Sequence, residues 1–462
     1  MTPTAIADFM ASLFTQWPNH MRLLDAGAGL GSLTEAFTER FFSEAPKGST
    51  LEASTFEINH LLLNYLSVHM DDLAEKAEAR GLRFISAIND RDFITEASFQ
   101  LSFGGPRFTH AILNPPYKKI NNDSDHRKAL RTIGIETVNL YTAFLGLAVA
   151  MTELGGEIVA IIPRSFCNGT YFRPFREWLL TRVALKHIHV FESRTKAFKD
   201  DEVLQENIII HLKRDAPQGA VIVSTSCDSS FSDYNEQTLA FTEIVKPSDE
   251  EQFIHIPTLE IDGPDWLFVR SLKELDLEIS TGPVVDFRLR DHWLTDPAPA
   301  SVPLLYAHHF SGGHFDWPRV NKKPNALKLN DETMKWLMPR GWYCITKRFS
   351  SKEERRRLVA HVVNPQTLPY EKIGFENHLN VFHSRKQGIL PELAYGLSVF
   401  LNSTIVDQHF RNFSGHTQVN ATDLRVMRYP DRDTLISLGV WAQEQTELTQ
   451  EKIDSHIREY GQ

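Results

Sequence analysis

The chain has 462 residues, 42% of them hydrophobic and 23% charged, enough to build a substantial core in two or three domains. No run approaches the roughly 18 apolar residues of a membrane span, and the N-terminal MTPTAIADFMASLF carries Asp8 and lacks the basic region of a signal peptide. Cys167, Cys227 and Cys344 stand far apart without CxxC spacing, which excludes a disulfide framework or a zinc motif and points to reduced thiols in a cytoplasmic protein. The net charge of −10 argues against a nucleic-acid partner until its distribution is considered. Between Ser301 and Pro430 there are 18 Lys/Arg against 10 Asp/Glu, a local excess of +8 that leaves −18 elsewhere. A basic segment on an acidic chain is what a localised nucleic-acid surface requires, although a solvated charged face has the same composition.

In chain order, short apolar runs alternate with helical stretches from Met21 to Arg214. The runs MRLLDAG, LEASTFEI, LRFISAI, THAILNPPY, EIVAIIP, ALKHIHVF and ENIIIHLKR predict strands, and Gly31–Phe42, Asn59–Arg80 and Val138–Leu154 predict helices. Regular alternation predicts a doubly wound α/β domain over residues 1–215, with a mostly parallel sheet covered on both faces and an antiparallel final strand. DAPQG (Asp215–Gly219) and KPSDEEQ (Lys246–Gln252) are turn-rich, so 216–255 reads as a connector. Residues 256–462 are irregular and rich in Pro, Gly, His and aromatics, predicting a mixed α+β domain closed by one amphipathic helix over Asp431–Gln462.

The first strand runs into Asp25, Gly27, Gly29 and Gly31. Alternate glycines allow a sharp turn and close backbone approach to a ligand, but the spacing is not GxGxxG and no phosphate-loop lysine follows. That pattern suits S-adenosylmethionine better than a dinucleotide or ATP. Glu57, ending the second strand, is placed to accept the ribose hydroxyls. After the third strand, Asp92 (with Asp90 as rival) could accept from the adenine amine of the cofactor, and Phe93 could cover its ring; either acid could equally be a helix cap. The fourth strand ends in Asn114-Pro115-Pro116-Tyr117. An exocyclic aromatic amine is a poor nucleophile because its lone pair is delocalised into the ring. Two acceptors, the Asn114 side-chain oxygen and the Pro115 carbonyl, would take its hydrogens and draw the nitrogen towards tetrahedral geometry. The prolines stiffen the turn, and Tyr117 offers a ring for an extruded base.

The order of these motifs resembles the gamma-class DNA adenine-N6 methyltransferases, of the Asn-Pro-Pro-Tyr type common in restriction–modification systems. TPTAIADFMASLF (Thr2–Phe14) is similar to the segment that precedes the cofactor loop and closes over the methionine end, which implies a cofactor role for Thr2. LLDAGAGLGSL, TFEIN (with Ile58), DRDFI, LNPPY, GGEIVAIIPRSF and FKDDEVLQENIII follow in the family's order, and the last implies that Phe198 stacks on the flipped adenine. The resemblance covers about residues 2–213 and implies a Rossmann-like catalytic domain, with 256–462 as the DNA target-recognition domain. Its implied partners are double-stranded DNA and a separately encoded endonuclease, in a prokaryotic cytoplasm, with no membrane and no metal. SGHTQVNATDLRVMRYP (Ser414–Pro430) is similar to a segment of that second domain.

Candidate DNA contacts are Arg319, Lys322, Lys323, Lys347, Arg348, Arg411, His416, Gln418 and Asn420, residue types that read bases or hold phosphates. His308, His309 and His314 with Asp316 lack metal-ligand spacing. Rival readings remain: cytosine-N4 methylation, which the same acceptors suit; an RNA base or protein glutamine as substrate; and a non-catalytic DNA-binding subunit that keeps the fold.

Overall fold

All seven apolar runs form strands of one sheet: β1 (His20–Ala26), β2 (Thr50–Phe56), β3 (Arg83–Asn89), β4 (Phe108–Leu113), β5 (Thr152–Pro163), β6 (Val183–Phe191) and β7 (Asn207–Arg214). The computed structural model describes residues 2–105, 107–191, 206–247, 249–257, 264–311, 314–350, 354–413 and 418–460. It divides into two units, Met1–Thr258 and Leu259–Gln462.

In the first unit the strand order is β3-β2-β1-β4-β5-β7-β6, extended by β8 (Ala220–Ser226) and β9 (Asn235–Ala240). β3, β2, β1, β4 and β5 run parallel, whereas β7 lies antiparallel to both β5 and β6. Alternate residues feed two cores, as the period of a doubly covered sheet requires. Leu24, Ala26, Ala111 and Leu113 face one cluster, built with α4 (Phe93–Ser102), α6 (Leu140–Met151) and α7 (Arg173–Leu180). Met21, Leu23 and Ile112 face the other, built with α1 (Thr4–Ser12), α2 (Ser32–Glu44) and α3 (His60–Ala79).

The reading of 216–255 as a connector is corrected. β8 pairs parallel with β6 and buries Val221, Val223, Ser224 and Ser226, β9 pairs antiparallel with β8, and Ile254 and Ile256 enter the first unit's core. The stretch looked like a linker because β9, NEQTLA, is mostly polar and largely exposed.

The second unit holds a four-stranded sheet in the order Glu278–Thr281, Leu379–His383, Tyr343–Lys347, Ala360–Val363. A five-stranded sheet includes Ser301–Leu305 and Lys372–Phe375. The single terminal helix is also corrected: there are two, Arg432–Glu444 and Gln450–Glu459, the second capped by the Thr449 side chain on Lys452 N–H. Among the described residues no helix is long and apolar enough to cross a membrane.

Three of the buried histidines of the first unit, His110, His187 and His189, are held by hydroxyl or carbonyl partners. His187 and His189 share the Ser224 hydroxyl at 2.6 and 2.8 Å, and His110 Nε2 lies 2.9 Å from the Gln16 carbonyl. Burial lowers their pKa values from 6.5 to about 4, about 3 and about 4 respectively. Unfolding therefore takes up protons below pH 6.5, so their contribution is complete above that value and is lost as pH falls towards 4. Unfolding midpoints measured across this window should drop with acidification, and His189→Asn should flatten part of the fall.

Candidate active site

The site grows from the carboxyl ends of β1, β2, β3 and β4. β1 and β4 are parallel neighbours with Ala26 opposite Leu113, so the chain leaving each meets the other. Gly27, Gly29 and Gly31 have φ of +81°, +58° and +87°, the left-handed region that side chains resist. The amides of Gly27 and Ala28 both donate to the Phe56 carbonyl at 2.9 Å, tying the loop to β2. Gly31 caps α2, and a Cβ there would lie 2.9 Å from both Leu66 and Met70 of α3. A Cβ at Gly27 would stand 3.8 Å from the Asn114 carbonyl and from Phe144. The glycine loop and the Asn-Pro-Pro-Tyr turn therefore face each other.

Asp25 is fully buried. Its Oδ2 accepts from the Thr34 hydroxyl at 2.8 Å, while Oδ1 is buried with no hydrogen-bond partner among the described residues. Burial raises its pKa to about 7, against the lowering effect of Thr34. Glu57 accepts from Gly29 N–H at 2.9 Å and Asn59 N–H at 2.7 Å, so it clamps the loop before it can serve a ribose. Ile58 beside it is 63% exposed, an apolar surface at the rim.

Asp92 caps α4 through one oxygen: Oδ1 accepts from Thr95 N–H and hydroxyl at 2.9 Å and faces His126 Nε2 at 3.1 Å. The cap reading of this acid holds, with Oδ2 still able to accept. Phe93 departs from expectation. It is 2% exposed, wedged between Phe56 and Phe144 in the core, because the first residue of α4 turns inward beneath the sheet end.

Asn114 is half-buried, Pro115 buried and Pro116 exposed. Asn114 Nδ2 donates to Thr2 Oγ1 at 2.9 Å, and Asn114 Oδ1 accepts from the Tyr117 hydroxyl at 3.2 Å. Tyr117 is half-buried with its ring edge-on to Tyr141, and its hydroxyl occupies the Asn114 oxygen expected to receive a base amine. Phe198 lies outside the described residues. Sequence reasoning missed Phe144, Thr34 and His126: an apolar residue in an apolar helix, a first-turn threonine and a half-buried histidine carry no motif signal.

The candidate DNA contacts fare differently. Lys323 pairs with Asp286 at 2.6 Å, Lys347 with Glu354 at 3.0 Å and Arg411 with Asp407 at 2.8 Å. Arg319 donates to the His308 carbonyl, and Arg348 donates to the Asn377 carbonyl and Gln418 Oε1. Asn420 caps the helix Ala421–Val426. Lys322 is exposed, with its ammonium unpaired among the described residues; His416 lies outside them. Arg356 and Arg357 do not form a solvated charged face. Arg357 is 1% exposed beneath Phe410, and Arg356 donates to the Ser403 carbonyl. Much of the local positive charge therefore serves the unit's interior. Among the described residues no group of three or more His, Cys, Asp or Glu is arranged for a metal ion.

Strand ends that offer backbone, an orphaned buried carboxylate oxygen and an apolar rim, without a phosphate-loop lysine, fit S-adenosylmethionine. With Asn114 facing the glycine loop, the fold and site define an S-adenosylmethionine-dependent methyltransferase.

Comparison with known proteins narrows the class. The sequence pattern of the Eco57I restriction-modification methylase family matches residues 50–198. The chain is 50% identical over 472 residues to the Type II methyltransferase M.BsuBI of Bacillus subtilis, covering 99% of this chain and 92% of that protein. It is 40% identical over 468 residues to the Type II methyltransferase M.PstI of Providencia stuartii, with the same coverage. In fold it is similar to the Type IIL restriction-modification enzyme MmeI in complex with DNA, with a TM-score of 0.51 at 11% identity, over 95% of this chain and 64% of that one. The chain belongs to the Type II methyltransferases of restriction–modification systems and is a site-specific DNA methyltransferase.

Gly31→Ala should cost about 1–3 kcal/mol, combining a left-handed backbone with overlap against Leu66 and Met70. Urea unfolding would measure it; an unchanged midpoint would contradict the packing described for α2 and α3.

Proposed function

We propose that the enzyme methylates the N6 amine of an adenine extruded from duplex DNA. The observation that carries this reading is the face-to-face placement of the glycine loop and Asn114, with the Gly27 Cβ position 3.8 Å from the Asn114 carbonyl. Gly27, Gly29 and Gly31 approach the cofactor by backbone, the Asp25 and Glu57 carboxylates accept from its polar groups, and Thr2, Ile58 and Asp92 complete the pocket. When bound, S-adenosylmethionine supplies an electrophilic methyl group. The chain's own part is to orient the nucleophile: Asn114 Oδ1 and the Pro115 carbonyl each accept one amine hydrogen, which localises the lone pair. Pro116 stiffens the turn. The nitrogen becomes acidic as it gains the methyl group, so its surplus proton passes to solvent without a dedicated base.

Tyr117 exchanges its hydroxyl contact on Asn114 for the incoming amine and stacks on the extruded base, with Phe198 on the other face. Residues 259–462 form the DNA target-recognition domain, in which Lys322 contacts phosphate and the Arg348–Gln418 pair reads bases. A separately encoded endonuclease with the same site is the expected partner, in a bacterial cytoplasm.

Transfer of labelled methyl from S-adenosylmethionine to unmethylated DNA, followed by nucleoside analysis, tests the reading. N6-methyladenine in one short sequence context is the expected product. Label in N4-methylcytosine would keep the mechanism and change the base, and label confined to RNA or protein would overturn the assignment. Asn114→Ala should lower turnover by about 10²–10³-fold with cofactor affinity nearly unchanged, as single-turnover kinetics and equilibrium binding would resolve.

A further inference from the structure

We propose that Thr2 is a positioning residue for methyl transfer: its hydroxyl holds the Asn114 side-chain amide with Oδ1 turned to the base and Nδ2 turned away. The inference rests on the reading of Asn114 given above. It assigns Thr2 to the amide of a neighbouring strand end and not only to the cofactor.

A side-chain amide has two orientations half a turn apart. One presents an acceptor to the incoming amine, and the other presents N–H groups to N–H groups. In this structure the two sides of the Asn114 amide are distinguished. Nδ2 donates to Thr2 Oγ1 at 2.9 Å, and Oδ1 accepts from Tyr117 at 3.2 Å. A phenol is a stronger donor than an aliphatic alcohol, so the amide oxygen is drawn to Tyr117 and the nitrogen is left for Thr2. Once a base amine replaces the Tyr117 hydroxyl on Oδ1, Thr2 is the contact that still resists rotation.

Thr2 can do this only if its own position is fixed, and α1 fixes it. Pro3, the N-cap of α1, follows Thr2 directly, and the nine-residue helix extends about 13 Å from there. α1 buries Ile6, Ala7, Met10 and Ala11 against the core that holds Phe14 and Phe37. Just beyond its far end, Thr15 and Gln16 N–H donate to Glu157 Oε2 at 2.9 and 3.2 Å, and His211 Nε2 lies 3.5 Å from Oε1. Burial opposes a charge on Glu157, but the His211 and Thr15 contacts outweigh it and bring its pKa down to about 2. The tether therefore stays ionised at working pH. Glu157 stands in the early half of β5, whereas Asn114 follows the carboxyl end of β4, so α1 acts as a strut along the sheet.

The test compares Thr2→Val, which removes the acceptor and keeps the shape, with Thr2→Ser, which keeps the hydroxyl. Three quantities are read: the single-turnover rate at saturating S-adenosylmethionine and DNA, the S-adenosylmethionine dissociation constant, and solvent exchange of the ¹⁵N-labelled Asn114 side-chain NH₂ without cofactor. Thr2→Val should slow transfer about 10–100-fold at saturating S-adenosylmethionine and DNA, beyond any rise in the dissociation constant. Its Asn114 NH₂ should exchange faster than in the parent, and Thr2→Ser should restore both readouts. A Thr2→Val loss that vanishes at saturating cofactor, or unchanged rate and exchange, would overturn the proposal. Asn114→Ala in the same assay separates the two levels: wild-type turnover there would remove the reading of Asn114 itself. An inactive Asn114→Ala beside an unaffected Thr2→Val would remove only the role of Thr2.

Discussion

The parallel pairing of β1 with β4, Ala26 opposite Leu113, is the constraint on which the site depends. Both strands are buried on two faces, and alternate residues commit to different helix layers. A slip of one residue would send Leu24 and Ala26 into the wrong core, so the register is held by burial on both sides. The same register brings the glycine loop to the turn that carries Asn114. Chemistry at the strand ends inherits its precision from packing in the strand middles.

The layer of α1, α2 and α3 adds a second level of control. Gly31 lets α2 begin at van der Waals distance from α3, and Glu157 fixes the segment after α1 to β5. Beneath α1 the sheet carries His110, His187, His189 and His211, all buried, with hydroxyl, carbonyl or carboxylate partners nearby. Buried polar groups of this kind are costly when left unpaired and specify one arrangement when paired. The face that braces the N-terminal segment therefore carries polar groups that are internally satisfied to a large degree.

The second unit uses charge in another way. Lys323 neutralises Asp286, which is also bonded by Tyr306, while Arg357 is buried and the half-buried Arg356 donates to the Ser403 carbonyl. A positive count along a stretch of sequence cannot distinguish a surface from a set of internal donors, since guanidinium groups serve either role. The irregularity of residues 256–462 has a related origin: strands of two to five residues leave no periodicity long enough to read.

The sequence by itself determined the doubly wound core, its seven strands, and the positions of Gly27, Gly29, Gly31, Glu57 and Asn114 at strand ends. These are local properties, carried by periodicity and by residue types that tolerate only certain backbones. It also carried the family, because Asn-Pro-Pro-Tyr after a buried strand is a pattern few other chemistries require. Only the tertiary structure decided that 216–255 completes the sheet, that Phe93 belongs to the core, and that the Thr2 hydroxyl meets the Asn114 amide across 112 positions of chain. It likewise decided which lysines and arginines are spent on internal carboxylates. These facts depend on which distant segments become neighbours, and no local pattern encodes the partner of a side chain that finds it only after the sheet has closed.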